Sequence, residues 1–148
     1  GEMNYTLKGK HAKVSVVWNY QAPEGTGDTH YSMMRGTKAN LIIRQGKEEN
    51  YRPALYVKLI GSAQADLENA VKQTLQAKYP GIDLQLMPSG EYQVMIPDSY
   101  HNGHEAHFAQ VTEKFLEYYK AGTMPAWEVP NMITKYYTTT KAYEMAMK

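Results

Sequence analysis

Lys13-Val14-Ser15-Val16-Val17-Trp18-Asn19-Tyr20 is the stretch whose reading decides the fold. Val14, Val16, Trp18 and Tyr20 share one face of an extended chain, and Lys13, Ser15, Val17 and Asn19 share the other, which is the period of two of a β-strand. Residues 5–7 form a short candidate strand before it. After it, residues 22–38 break the pattern: Pro23, Gly25 and Gly27 predict a loop long enough to carry function. Residues 40–45 and 54–60 are predicted strands, turned at Gly46 and the charged run Lys47-Glu48-Glu49-Asn50.

The chain then changes period. Leu67, Ala70, Val71, Leu75 and Tyr79 recur at helical spacing behind a plausible N-cap, Ser62, and Pro80-Gly81 ends the helix. Residues 82–87 and 92–96 return to strands around Pro88-Ser89-Gly90, and 97–102 are irregular. A second helix is predicted from about Asn102, where Asn102 and Glu105 have capping-box spacing. Its expected buried stripe is Phe108, Val111, Phe115 and Tyr119, and Gly122 stops it. Residues 125–130 are expected to be extended. A last helix runs from about Asn131, with Tyr136, Thr140, Tyr143 and Met147 on one face. Its run Thr138-Thr139-Thr140 lowers intrinsic helicity, so tertiary packing has to hold it. The predicted class is α+β: a mostly antiparallel sheet of about six strands with two to three helices packed on one face, forming one domain over residues 1–148. The second face of the strands carries Val17, Ile42, Tyr56, Ile60, Met87 and Met95. A solvated face should alternate more cleanly, so this one is expected to be covered by another subunit or a further domain.

Composition narrows the function. Thirteen Tyr against two Phe and two Trp suit half-buried surfaces such as an interface or a sugar-binding cleft. Sixteen basic and fifteen acidic residues give a net charge of +1 with no clustered basic patch, so the electrostatic footprint of nucleic-acid binding is missing. No apolar run is long enough to span a bilayer. The absence of cysteine excludes disulfides, thiolate zinc sites and cysteine nucleophiles. The start Gly1-Glu2-Met3-Asn4 has neither the basic nor the apolar region of a signal peptide, and Met in third place reads as a fragment. Localisation is not encoded here; the cytoplasm is the default, and export of a parent protein stays open.

Two constellations could carry chemistry. In Asn102-Gly103-His104-Glu105-Ala106-His107-Phe108, His104 lies in line with the apolar stripe at its amino-terminal end, and His107 is displaced to the side. The positive end of a helix disfavours a charged imidazole, so His104 is expected to stay neutral near pH 7 and to accept a proton or hydrogen bond. The two histidines could share a metal ion only with a third ligand such as Asp28 or His30; a capped helix start with a hydrogen-bonded histidine is the plain alternative. In Gly25-Thr26-Gly27-Asp28-Thr29-His30-Tyr31-Ser32, Asp28 and His30 could act as an orienter and a base on a hydroxyl, or be ordinary loop chemistry. Gly25-Thr26-Gly27 lacks the third glycine and the following helix of a dinucleotide fingerprint. No serine sits in a nucleophile elbow.

Trp18-Asn19-Tyr20-Gln21-Ala22-Pro23-Glu24-Gly25 with Gly27-Asp28-Thr29-His30, Arg35-Gly36-Thr37-Lys38-Ala39, the helix start at His104–Phe108, and Lys135-Tyr136-Tyr137-Thr138-Thr139-Thr140 with Ala142 together resemble a known family. It is the carboxy-terminal domain of oxidoreductases of the glucose–fructose oxidoreductase and inositol dehydrogenase family. The resemblance implies a two-domain parent, with NAD or NADP held by an amino-terminal Rossmann domain absent from this chain. It also implies a sugar-like small-molecule substrate and homo-oligomerisation through the sheet. The family's glycine-rich loop, its Glu-Lys-Pro segment and its Asp-x-x-x-His pair are not found among these residues, so the main catalytic groups are expected upstream. Asp28, His30, His104 and His107 are then candidates for substrate contact, the fragment alone is expected to be inactive, and neither cofactor nor metal is expected to bind it. A self-standing, non-catalytic carbohydrate- or protein-binding module is the alternative.

Overall fold

The computed structural model describes residues 1–18, 23–61 and 64–148. They form two compact units, one of Gly1–Tyr20 with Gly103–Lys148 and the other Gln21–Asn102. The class is α+β, with antiparallel sheets of five and two strands and three helices.

The larger sheet belongs to the second unit. It holds β3 (His30–Arg35), β4 (Ala39–Gln45), β5 (Ala54–Leu59), β6 (Asp83–Leu86) and β7 (Tyr92–Met95) in the order β3-β4-β5-β7-β6, all antiparallel. The predicted strands at 40–45, 54–60, 82–87 and 92–96 are all present to within a residue or two at each end. β3 corrects the expectation of an unbroken loop over residues 22–38. His-Tyr-Ser-Met-Met-Arg does not alternate cleanly, because an edge strand is held by backbone pairing to one neighbour rather than by two buried faces. The hairpin to β4 closes where the Gly36 N–H donates to the Ala39 carbonyl at 3.0 Å. The β6–β7 hairpin closes around the predicted Pro88-Ser89-Gly90 turn: the Gly90 N–H donates to the Met87 carbonyl and the Met87 N–H to the Glu91 carbonyl, at 2.9 and 2.8 Å.

Helix α1 joins β5 to β6. It runs through Gln64–Ala70, a π-helical turn at Val71–Leu75, and Gln76–Lys78. The predicted N-cap, Ser62, lies outside the described residues. Tyr79 leaves helical geometry just ahead of Pro80-Gly81, as expected. Val71 is the residue that α1 buries. It packs with Val57, Ile82, Tyr92 and Val94, and Leu67 lies against this cluster. These sheet residues share one face because Val57 is registered with Tyr92 and Leu84 with Val94. Ile42, registered with Tyr56, lies on the opposite face, yet Ile42 is only 2% exposed and Tyr56 is also buried. The centre of the second face is therefore buried without any added subunit. Ile60 and Met95 toward its margins are exposed, and Val17 follows β2 as exposed chain outside either sheet.

The first unit contains a hairpin, β1 (Glu2–Leu7) and β2 (Lys10–Ser15), around a two-residue turn at Lys8 and Gly9 with positive φ at both, the geometry that matches strand twist. The strand expected over 13–20 ends at Ser15. Gly1 and Val16 flank the ladder, with the Gly1 nitrogen donating to the Val16 carbonyl and the Val16 N–H to the Gly1 carbonyl, both at 2.8 Å. Val16, Val17 and Trp18 are exposed, and Asn19 and Tyr20 lie outside the described residues.

Helices α2 (His104–Ala121) and α3 (Glu128–Ala146) complete this unit. Two boundaries differ from expectation. The N-cap of α2 is Gly103 with no side-chain cap, so the Asn102–Glu105 capping box does not form. Helix α3 begins before Pro130, because a proline in the first turn removes only an N–H that has no intrahelical acceptor. Helix α2 does end at Gly122, in left-handed geometry: the Gly122 and Thr123 N–H groups donate to the Tyr119 and Tyr118 carbonyls. The larger departure concerns packing. No residue of α2 or α3 is buried, and the stripe expected inside (Phe108, Val111, Phe115, Tyr119) is exposed, up to 78% at Tyr119.

A Cβ added at Gly36 would lie 2.6 Å from the Ala39 carbonyl oxygen. Gly36→Ala is expected to open the β3–β4 turn and cost about 1–3 kcal/mol, read as a lowered denaturation midpoint.

Candidate functional site

The face of the five-stranded sheet opposite Val71 carries the best-defined polar cluster. Residues 42 and 44 of β4, 56 of β5 and 91 and 93 along β7 point to this face by the period of two. The Arg44 guanidinium donates from Nη2 to Glu91 Oε2 at 2.7 Å. Glu91 is 6% exposed and the Arg44 side chain 32%. The same guanidinium lies over the Tyr56 ring, 4.5 Å from its centroid. The Tyr56 hydroxyl donates to Glu49 Oε1 at 3.3 Å, and Glu49 Oε2 accepts the Gly46 N–H at 3.1 Å, which ties the β4–β5 turn to the cluster.

The electrostatics follow from these contacts. The Glu91 hydrogen bond raises the Arg44 pKa above its ordinary value, so the cation is permanent. Burial raises the Tyr56 phenol above its ordinary value, and the neighbouring Glu49 carboxylate adds to the shift. A permanent cation with a partly exposed side chain, stacked on the Tyr56 ring, can orient hydroxyl or carboxylate groups of a ligand. Sequence reading missed this cluster because its charged partners are 47 residues apart; the available signal was a charge of one sign inside β4 and one of the other sign just ahead of β7.

The predicted residues fall elsewhere. Asp28 precedes β3 and is exposed; His30 is the first residue of β3, opposite Gln45, and is therefore in a strand rather than a loop. His104 opens α2, exposed, with its ring 4.8 Å from that of Phe108, in line with the stripe as expected. His107 is exposed one turn on. Asp28 and His30 belong to one unit, His104 and His107 to the other. Among the described residues no group of three or more His, Asp or Glu is arranged to hold a metal ion, and no helix is long and apolar enough to cross a membrane. A shallow depression of about 690 Å³ lies between the start of α1 and the β6–β7 turn, lined by Leu59, Gln64, Glu68, Leu86 and Tyr92 among others. Glu68 is its single ionisable acid, and Gln64 occupies it at 3.0 Å.

The described residues do not form the Rossmann cradle of a dinucleotide. That fold needs parallel strands joined through a helix whose glycine-rich amino terminus meets the pyrophosphate. Every strand pair among the described residues is antiparallel, and Thr26, between Gly25 and Gly27, is committed to a turn through two bonds to the Pro23 carbonyl.

Residues 1–147 match the family described as putative oxidoreductase C terminal domain. The chain belongs to this family. Among solved structures, this oxidoreductase C-terminal domain is similar to a putative oxidoreductase from Parabacteroides merdae, with 53% identity and a TM-score of 0.92 over 99% of the present chain. The domain spans only 34% of that protein's length. No curated protein matches it.

The raised Tyr56 pKa has a definite pH consequence. The unfolded chain loses this proton more readily than the folded one, so stability is fully present below the ordinary value of 10.0 and declines as pH rises through the folded value. In Tyr56→Phe this contribution to the alkaline decline is expected to vanish, measured as denaturation midpoints from pH 8 to about 11.

Proposed function

We infer that this domain is the substrate-side and assembly portion of an NAD(P)-dependent oxidoreductase that acts on a sugar, polyol or related hydroxy compound. The observation that carries the reading is the family match along the whole chain, combined with a similar solved oxidoreductase about three times as long. The similarity to glucose–fructose oxidoreductase and inositol dehydrogenase proteins supports the substrate class and a nicotinamide cofactor. The nicotinamide would supply hydride transfer and would be held by a Rossmann domain elsewhere in the parent, since the antiparallel sheet described above does not fit it.

Within this reading the domain's own residues bind and orient substrate. The Arg44 guanidinium, held by Glu91 and stacked on the buried Tyr56 ring, would offer a fixed cation to a hydroxylated ligand. His104 and His30 are candidate hydrogen-bond partners for a substrate hydroxyl, with His107 and Asp28 beside them in sequence. Homo-oligomerisation would use the exposed margins of the sheet rather than its centre, where Ile42 is already buried.

The second reading, a non-catalytic carbohydrate- or protein-binding module, draws on the exposed aromatic residues of α2 and α3. The two readings separate in the intact parent protein. Titration with NADH or NADPH is expected to enhance nicotinamide fluorescence in the parent and not in the 148-residue domain; a parent that binds neither nucleotide supports the module. In the active parent, His104→Ala is expected to lower kcat by about 10–100-fold if the imidazole hydrogen-bonds the reacting hydroxyl, with the denaturation midpoint little changed. An unchanged rate would remove His104 from the site.

A further inference from the structure

Helices α2 and α3 are each amphipathic, and each leaves its apolar face uncovered. On α2, His104, Phe108, Val111, Phe115 and Tyr119 fall within one stripe about 100° wide, with Glu113, Glu117 and Lys120 on the far side. On α3, Val129, Met132, Ile133, Tyr136, Tyr143 and Met147 form a second stripe, with Lys135 and Lys141 off it. All the hydrophobic members of both stripes are exposed, by 49% at Val129 and more elsewhere. Aromatic side chains bury roughly 150–250 Å² each, and a monomer seldom shows an apolar patch above about 600 Å². Two such stripes exceed what a free surface carries.

We propose that the apolar stripes of α2 and α3 are the surface on which this domain docks against the remaining polypeptide of its own parent chain. This rests on the oxidoreductase reading above. The occupant follows from length: in the similar Parabacteroides merdae protein the same fold, at a TM-score of 0.92, is accompanied by nearly twice as much further polypeptide in the same chain. The helices themselves favour an intrachain partner. Helix α3 contains the weak helix formers Thr138, Thr139 and Thr140, and no residue of either helix is buried in the domain. Their persistence then depends on packing, and packing supplied by the same chain is present at any concentration. The stripe on α2 begins at His104, so the docked surface would bring this imidazole to the junction with the parent's other domain.

The absence of cysteine from this domain allows a direct test. Val111→Cys and Met132→Cys on the stripes, and Glu113→Cys and Lys141→Cys on the opposite faces, are made singly in the full-length parent. Maleimide labelling of each introduced site is followed by peptide mass spectrometry. The expected result is labelling at residues 111 and 132 slowed more than about tenfold relative to 113 and 141, unchanged on hundredfold dilution of the protein. Equal labelling on both faces would overturn the proposal. Protection lost on dilution would overturn it too, by showing that a second copy covers the stripes. The readout needs no nucleotide, so its failure is distinct from that of the oxidoreductase reading: shielded stripes in a parent that binds no NAD(P) would refute that reading and leave the docking intact.

Discussion

The structure depends on one contact, the closure of α1 over the five-stranded sheet through Val71. This side chain clusters with Val57, Ile82, Tyr92 and Val94, which come from β5, the residue ahead of β6, and β7. It therefore unites the three central and following elements in one apolar cluster. Without it the apolar face of β5 and β7 would be open, and β7, which pairs with β5 at only two registered positions, would be weakly held. The opposite face is organised differently. There Ile42 and Tyr56 are buried next to an ion pair, so a polar cluster forms where the backbone is already fixed by packing on the other side. That order of dependence, apolar closure first and polar placement second, is what puts a rigid guanidinium beside a rigid ring.

The strands flanking α1 were legible in the sequence because each is bounded by turn residues and buries an alternating face. Residues 39–45 and 54–59 are cases in point, as is the Pro88-Ser89-Gly90 turn. β3 was not legible, since an edge strand with one hydrogen-bonded neighbour needs no alternation. The strand at 13–20 shows the converse fault: Val16 and Trp18 continue the alternation, but alternation alone does not make a strand, and the pairing with β1 is registered to Ser15. The helical period of α2 and α3 was legible too. What covers their apolar faces was not, because periodicity reports that a face needs burial and not where its cover comes from.

The candidate site was less accessible still. The histidines at 104 and 107 and the Asp28–His30 pair stand out as sequence, yet the structure puts both pairs on exposed surface. Arg44 and Glu91 look unremarkable in sequence, and only the β4-β5-β7 register brings them together. Family membership supplies a different kind of knowledge. It says what kind of protein this domain belongs to, whereas the sheet geometry says which of its groups are held firmly enough to matter for a ligand.

The threonines of the two long helices have a consequence of their own. Thr112, Thr134, Thr138 and Thr139 each hydrogen-bond a backbone carbonyl of the preceding turn, at 2.7 to 3.1 Å for the partner four residues back. Each hydroxyl proton is thereby satisfied within its own helix. Such a flank can be dehydrated without stranding its donors, so a surface that reads as polar behaves toward a neighbouring element much as an alanine- and valine-lined one would.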